Sequence, residues 1–216
     1  PCGGLDVEVP PERMHERKLR NAEAAHDYLQ DALYVATADF STALRPAVLG
    51  AGYQCDGHTS WSIPVADSAA ELMVNEFDPE HPLYAAYLDR LAPLLENWSW
   101  DTYLPCAMGV MGPLDALSGM LGPEKLSLEL LDHPEEVKRH AADAAHALRE
   151  MMEYELALFR AAGLTDGMAS RFAMWLPGDG ALYTEDFCAL VGEPHYREYF
   201  MEPDAAVLSC MDATLY

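Results

Sequence analysis

Basic residues are scarce in this chain. Lys and Arg number 13 against 36 Asp and Glu, a formal charge of −23 over 216 residues. That balance argues against nucleic acid as a partner, because phosphate binding needs clustered cations. The acids are dispersed with no long like-charge block, so they read as a solvated surface and not as an interaction tail. No uninterrupted apolar run reaches 18 residues, so neither a transmembrane helix nor a membrane partner is expected. The opening Pro1-Cys2-Gly3-Gly4 lacks a basic n-region and an apolar h-region, and no signal peptide is expected. With no initiator Met, the chain is expected to begin inside a longer gene product. Cysteines are few and widely spaced: Cys2, Cys55, Cys106, Cys188 and Cys210 form no CxxC pair and are odd in number. They read as reduced thiols of a cytoplasmic protein. Cys106 and Cys210 lie in apolar runs, as small core residues do. A Ser-His-Asp triad, a P-loop and a GxGxxG fingerprint are all absent.

Half of the residues are apolar, enough for one sizeable core. No repeat, linker or composition shift divides the chain, so residues 1–216 read as one domain. Pro10-Pro11-Glu12 predicts a helix to about Gln30, and Asp78-Pro79-Glu80 predicts another to about Glu96. Asp132-His133-Pro134-Glu135-Glu136 opens a long helix. On it Val137, Ala141, Ala144, Leu148 and Met151 share one face, and Gly163 supplies the stop. Glu193-Pro194 starts a further helix, and Asp204 to Thr214 is predicted to be the last. Leu33–Phe40, Leu104–Met111 and Ala169–Leu176 read as buried strands. Tyr53–Ile63 reads as an extended or hairpin excursion. Strands alternating with helices imply parallel βα units of an α/β fold, although the high helical share leaves an all-α reading open.

The middle of the chain carries Trp100-Asp101-Thr102-Tyr103, then Gly109-Val110-Met111-Gly112-Pro113-Leu114-Asp115-Ala116-Leu117. Gly122, Glu124 and Leu126 follow, and then Leu131-Asp132-His133-Pro134-Glu135-Glu136-Val137. Further on come Trp175-Leu176-Pro177-Gly178, Glu185-Asp186-Phe187-Cys188-Ala189-Leu190-Val191 and Glu193-Pro194-His195-Tyr196-Arg197-Glu198-Tyr199. In order and spacing these resemble the uroporphyrinogen decarboxylase superfamily, from roughly Leu44 to Tyr216. The resemblance implies a (β/α)₈ TIM barrel with its active site at the C-terminal ends of the strands. About five βα units are counted, whereas a barrel needs about 250 residues or more. A partial barrel, not closed within this chain and lacking the later strands, is therefore expected. Two signatures are missing. No arginine-rich N-terminal loop grips carboxylates, since Arg13, Arg17 and Arg20 read as solvated helix residues. No His-x-Cys occurs, the motif through which the related corrinoid methyltransferases bind zinc.

Candidate catalytic residues are Asp186 and Asp115. Asp115 follows Gly112-Pro113 at a strand end, where it could orient substrate or cap a helix. Asp186 follows the next strand, where a carboxylate could handle a proton or again serve as an N-cap; Glu185 beside it reads as an exposed neighbour. Candidate substrate-binding residues are Trp175, Arg171, Trp61 and His58. Trp175 could floor a pocket or belong to the core. Arg171 either faces out or binds an anion, because an unpaired buried Arg is costly. Trp61 and His58 sit in Cys55-Asp56-Gly57-His58-Thr59-Ser60-Trp61. Cys55 with His58 lacks two further ligands for a metal, so this loop reads as ordinary polar packing. The other histidines read as surface. Asp115, Trp175 and Asp186 are expected to converge on one pocket if the barrel reading holds.

The resemblance implies a carboxy-lyase of porphyrin biosynthesis. A corrinoid- or thiol-dependent methyltransferase is its alternative, with a corrinoid protein as partner. A non-catalytic small-molecule-binding barrel is a third reading, since a fold does not fix a function. The high acidity argues against a porphyrinogen with many carboxylates. A small-molecule substrate is the expected partner, and self-association stays open. No cofactor or metal is expected from these residues; zinc enters only through residues absent from this chain.

Overall fold

The structure, a computed structural model, describes residues 6–27 and 34–215. Cys2, the predicted end of the first helix at Gln30 and the predicted strand start at Leu33 lie outside the described residues. Helix α1 (Pro11–His26) begins on its proline with Glu12 in the first turn. Pro fits there because the first helical N–H is unbonded in any case. The same device opens α3 (Pro82–Glu96), α4 (Pro113–Leu121), α5 (Pro123–Asp132), α6 (Pro134–Ala161) and α7 (Glu193–Tyr199). Helix α3 starts at Pro82 and not at Asp78-Pro79, because residues 78–81 form a turn in which the His81 N–H donates to Asp78 O. The face of α6 formed by Val137, Ala141, Ala144, Leu148 and Met151 is buried, and Gly163 beyond it is left-handed, φ 93°.

Strand β1 (Val35–Ala36) pairs in parallel with β4 (Leu104–Pro105). Between them lie α2 (Leu44–Val48), the hairpin β2 (Gly52–Cys55) and β3 (Ser60–Ile63), and α3. The chain of β4 continues through residues 106–109, where Gly109 has φ 97°, into β5 (Val110–Met111). Strand β5 pairs in parallel with β8 (Gly180–Thr184), which pairs in parallel with β9 (Ala213–Leu215). The crossover from β5 to β8 carries α4, α5 and α6, and that from β8 to β9 carries a 3-10 turn (Asp186–Leu190), α7 and α8 (Met201–Leu208). The chain is thus an α/β protein in which short parallel strands alternate with helices, and the core lies between the β5–β8–β9 sheet and helices α4, α6 and α8. These strands do not close into a barrel among the described residues.

The segment Ala169–Leu176 is not one strand. It is a tight hairpin of β6 (Gly167–Ala169) and antiparallel β7 (Trp175–Pro177). The turn is closed by the Ser170 N–H on Met174 O and by Ala173 in a left-handed conformation, φ 58°. The parallel strand of this region is β8, masked in the sequence by the flanking Gly178, Asp179 and Gly180. The predicted last helix ends early as α8, and residues 213–215 extend as β9. No helix among the described residues is long and apolar enough to cross a membrane.

Candidate functional site

Strands β5 and β8 run in parallel, and a pocket opens along their paired ends beside the segment that follows β1. Its cavity volume is about 50 Å³, and it is lined by Ser41, Thr42, Arg45, Met108, Gly109, Val110, Met111, Arg171, Leu182 and Thr184. Strand alternation explains which side chains reach it. Leu182 and Thr184 of β8 face the pocket, while Tyr183 and Glu185 point toward the helices. Its rim is held by an ion pair across two turns: Arg171 donates to Asp39 Oδ2 at 3.1 Å, and Asp39 Oδ1 accepts the Ser41 N–H at 2.9 Å. Ser41, φ 60°, and Ala173 are the described non-glycine residues with positive φ, and each sits in one of those turns. Such conformations cost on the order of 1–3 kcal/mol and concentrate at functional sites. Asp39 is anchored from behind, since its N–H donates to the buried carboxylate of Asp6, which also holds Arg17 and Lys18. Arg17 is therefore not a free surface charge.

Arg45 closes the pocket floor but is fully engaged. It donates to Gly109 O at 2.8 Å and makes a two-pronged pair with Glu155 at 2.6 and 3.0 Å. Tyr84 and Tyr87 donate to the remaining lone pairs of Glu155 at 3.1 and 3.2 Å. Arg45 and Glu155 are essentially inaccessible to solvent. Burial works against the Arg45 charge, but the Glu155 carboxylate outweighs it and holds the guanidinium pKa above its ordinary value.

Behind the strand ends lies a second cluster. The Glu185 carboxylate accepts the N–H groups of Leu114 and Asp115, capping α4, while the Asp115 carboxylate accepts those of Asp186 and Phe187, capping the 3-10 turn. Two successive parallel strands are thus cross-capped by each other's acid. A side chain at Gly112 would strike Glu185 and Tyr183, so the cap requires glycine there. Asp204 of α8 accepts from Tyr183 at 2.7 Å and from Tyr196. Burial, then the neighbouring Asp204 and Asp115 carboxylates, push the Glu185 pKa well above the carboxylate range. Burial likewise raises Asp115, partly offset by its two backbone donors.

Of the six candidates named from the sequence, Arg171 alone lines the mouth pocket. Asp115 and Asp186 are brought together, but through a backbone donor, and the Asp186 side chain is exposed. Trp175 packs at a tilt of 47° against Trp100, with ring centroids 5.2 Å apart. It thereby packs toward the loop that precedes β4, so the expected convergence of Asp115, Trp175 and Asp186 on one pocket does not occur. Trp61 and His58 are exposed on the β2–β3 hairpin, where the His58 N–H donates to Asp56 Oδ1. Glu185 is buried and not an exposed neighbour, because it is needed as the cap. His140 is likewise buried, with Nε2 on Ala69 O. Sequence reasoning missed Ser41, Thr42 and Thr184, which carry no local signature. Arg45 had one: a single charge inside the apolar run Leu44–Leu49. Among the described residues no group of three or more His, Cys, Asp or Glu side chains is arranged to hold a metal.

Fold and site together define an α/β protein with a small pocket, mainly apolar in its lining, where parallel strands end. No family model matches the chain, and no curated protein matches it.

Proposed function

We propose that this chain belongs to a uroporphyrinogen decarboxylase-like enzyme, a carboxy-lyase working at the C-terminal mouth of a TIM-type barrel. The observation that carries the reading is the mouth pocket with Arg171 in its wall. Decarboxylation breaks the bond between a carbon and its carboxylate. CO₂ departs, the electron pair stays on the carbon, and a proton replaces the lost group. Such an enzyme must hold a carboxylate in a defined orientation, and a guanidinium offers the planar donors for that task. Arg171 spends one donor on Asp39, in a half-exposed pair that gives little stability and yields readily to a ligand. The resemblance in Gly109–Leu117 and Glu185–Tyr199 supports the reaction class. The methyltransferase branch needs a zinc-activated thiol and rests on the resemblance alone. A binding barrel without chemistry is the second reading, favoured by Asp115, whose carboxylate is spent on backbone caps.

The test measures CO₂ release from a panel of carboxylates, uroporphyrinogen included, by wild type and Arg171→Gln. The expected outcome is a fall in kcat/KM of about tenfold or more, the loss of one charge-assisted hydrogen bond. Unchanged kcat/KM in the variant sinks the mouth reading. Ligand binding without any CO₂ release selects the binding barrel.

A further inference from the structure

The pocket's size and donor set narrow the ligand. A cavity of about 50 Å³ holds about four water-sized groups at the roughly 10–15 Å³ that each needs, enough for the head of a small molecule. A four-ring macrocycle has several times that number. The charge supply is equally limited. Two guanidinium groups reach the pocket, Arg45 and Arg171. Arg45 is consumed by Glu155 and Gly109 O, so it neither offers a net charge nor turns toward a ligand without leaving a buried carboxylate unpaired. Arg171 is the single cation available there, and a guanidinium holds five N–H donors, one of which goes to Asp39. Around it stand the hydroxyls of Ser41, Thr42 and Thr184, with no hydrogen-bond partner among the described residues. Met108, Val110, Met111 and Leu182 add an apolar part of the lining.

We infer that the mouth takes a small monocarboxylic acid carrying a hydroxyl or keto oxygen near its carboxylate and a short apolar tail. Arg171 takes the carboxylate, the three hydroxyls take the second oxygen, and the methionine–valine–leucine wall takes the tail. This inference rests on the mouth reading proposed above and names its substrate class. It parts from the porphyrinogen substrate that the resemblance implies, for a porphyrinogen brings many carboxylates to a site whose one exchangeable cation, Arg171, is already paired with Asp39.

The probes are 2-hydroxybutanoate, its uncharged analogue 2-hydroxybutanamide, and uroporphyrin. Each is titrated into the full chain by calorimetry, with backbone amide shifts of Gly109 and Thr184 reporting where it binds. Arg171→Gln removes the cation, Arg171→Lys keeps it without the fork, and Thr184→Val removes a hydroxyl at constant shape. The expected result is saturable binding of the acid that shifts both amides. Binding is weakened about tenfold or more by Arg171→Gln, less by Arg171→Lys and Thr184→Val, and the amide binds far more weakly. Equal binding of acid and amide, with the two amide shifts and Thr184→Val sensitivity intact, overturns the carboxylate class while the mouth reading survives. Uroporphyrin bound in an Arg171-dependent way, with no response to the acid, overturns the small-ligand inference and supports the decarboxylase reading in its porphyrin form. No shift at Gly109 or Thr184 with any probe overturns both. Thermal melts of each variant separate a lost contact from a lost fold.

Discussion

Glu185 gives this protein a pH dependence whose size follows from its surroundings. The side chain is 1% exposed, caps α4 through Leu114 and Asp115, and lies beside the Asp115 and Asp204 carboxylates. Burial first, and those two charges second, raise its pKa well above the carboxylate range. The folded protein therefore retains a proton that the unfolded chain, with a Glu pKa of about 4.3, has released by neutral pH. A group raised in this way contributes stability that is fully present below the unfolded pKa and is lost as pH rises through the folded one. One retained proton corresponds to up to about 1.4 kcal/mol per pH unit, or up to about 2.7 kcal/mol between pH 6 and pH 8. Glu185→Gln keeps an acceptor for the Asp115 N–H and removes the titration. Urea unfolding of both proteins at pH 6, 7 and 8 reads the effect directly. Wild type should lose stability more steeply than the variant across this range. All other residues are the same in both proteins, so the difference in slope reports Glu185 together with the Asp115 and Asp204 carboxylates that it faces. Equal slopes would falsify the reasoning, because Glu185 would then ionise in the folded state much as it does in the unfolded one.

Two further outcomes follow from buried groups. Glu155→Ala leaves Arg45 buried without its counter-ion and should destabilise by about 3–5 kcal/mol, whereas Arg45→Met with Glu155→Leu together should cost less than the sum of the single changes, measured as shifts in urea midpoint. Cys106, whose thiol burial pushes up to about 12, should resist iodoacetamide at pH 8 in the folded protein while Cys55, Cys188 and Cys210, each half-buried, are modified; labelling of Cys106 at their rate would refute the assignment.

Helices were the most legible part of the fold, because their starts combine proline with acids and their buried faces repeat every three or four residues. Val137, Ala141, Ala144, Leu148 and Met151 illustrate this; the Tyr53–Ile63 hairpin was legible for a different reason, its turn at Gly57, φ 83°. Strands were harder. Parallel pairing here spans only a few residues per strand: β1 and β4 each contribute two, too short for a hydrophobic period to emerge. Ala169–Leu176 was apolar enough to resemble a strand, but Ser170 and Ala173 turn the chain back on itself, and nothing local announces a left-handed alanine. At the site, Arg171 was legible because an Arg in an apolar run needs an explanation. Asp115 was read as orienting substrate or capping its own helix and Glu185 as an exposed neighbour, whereas Glu185 caps α4 and Asp115 caps the 3-10 turn. That relation joins residues about seventy positions apart, with separations of 70 for Asp115–Glu185 and 71 for Asp115–Asp186, and local propensity carries no trace of it.

The Arg45–Glu155 pair also bears on the order in which the chain assembles. Its members are 110 residues apart, and the tyrosines that complete it come from α3, between them. During synthesis, Arg45 emerges long before its counter-ion, so α2 cannot settle against Gly109 with its charge compensated until the second half of α6 has been made. Closing so long a loop carries an entropic cost, and folding dominated by distant contacts is slow. The floor of the mouth is therefore complete only with Glu155 of the long helix in place.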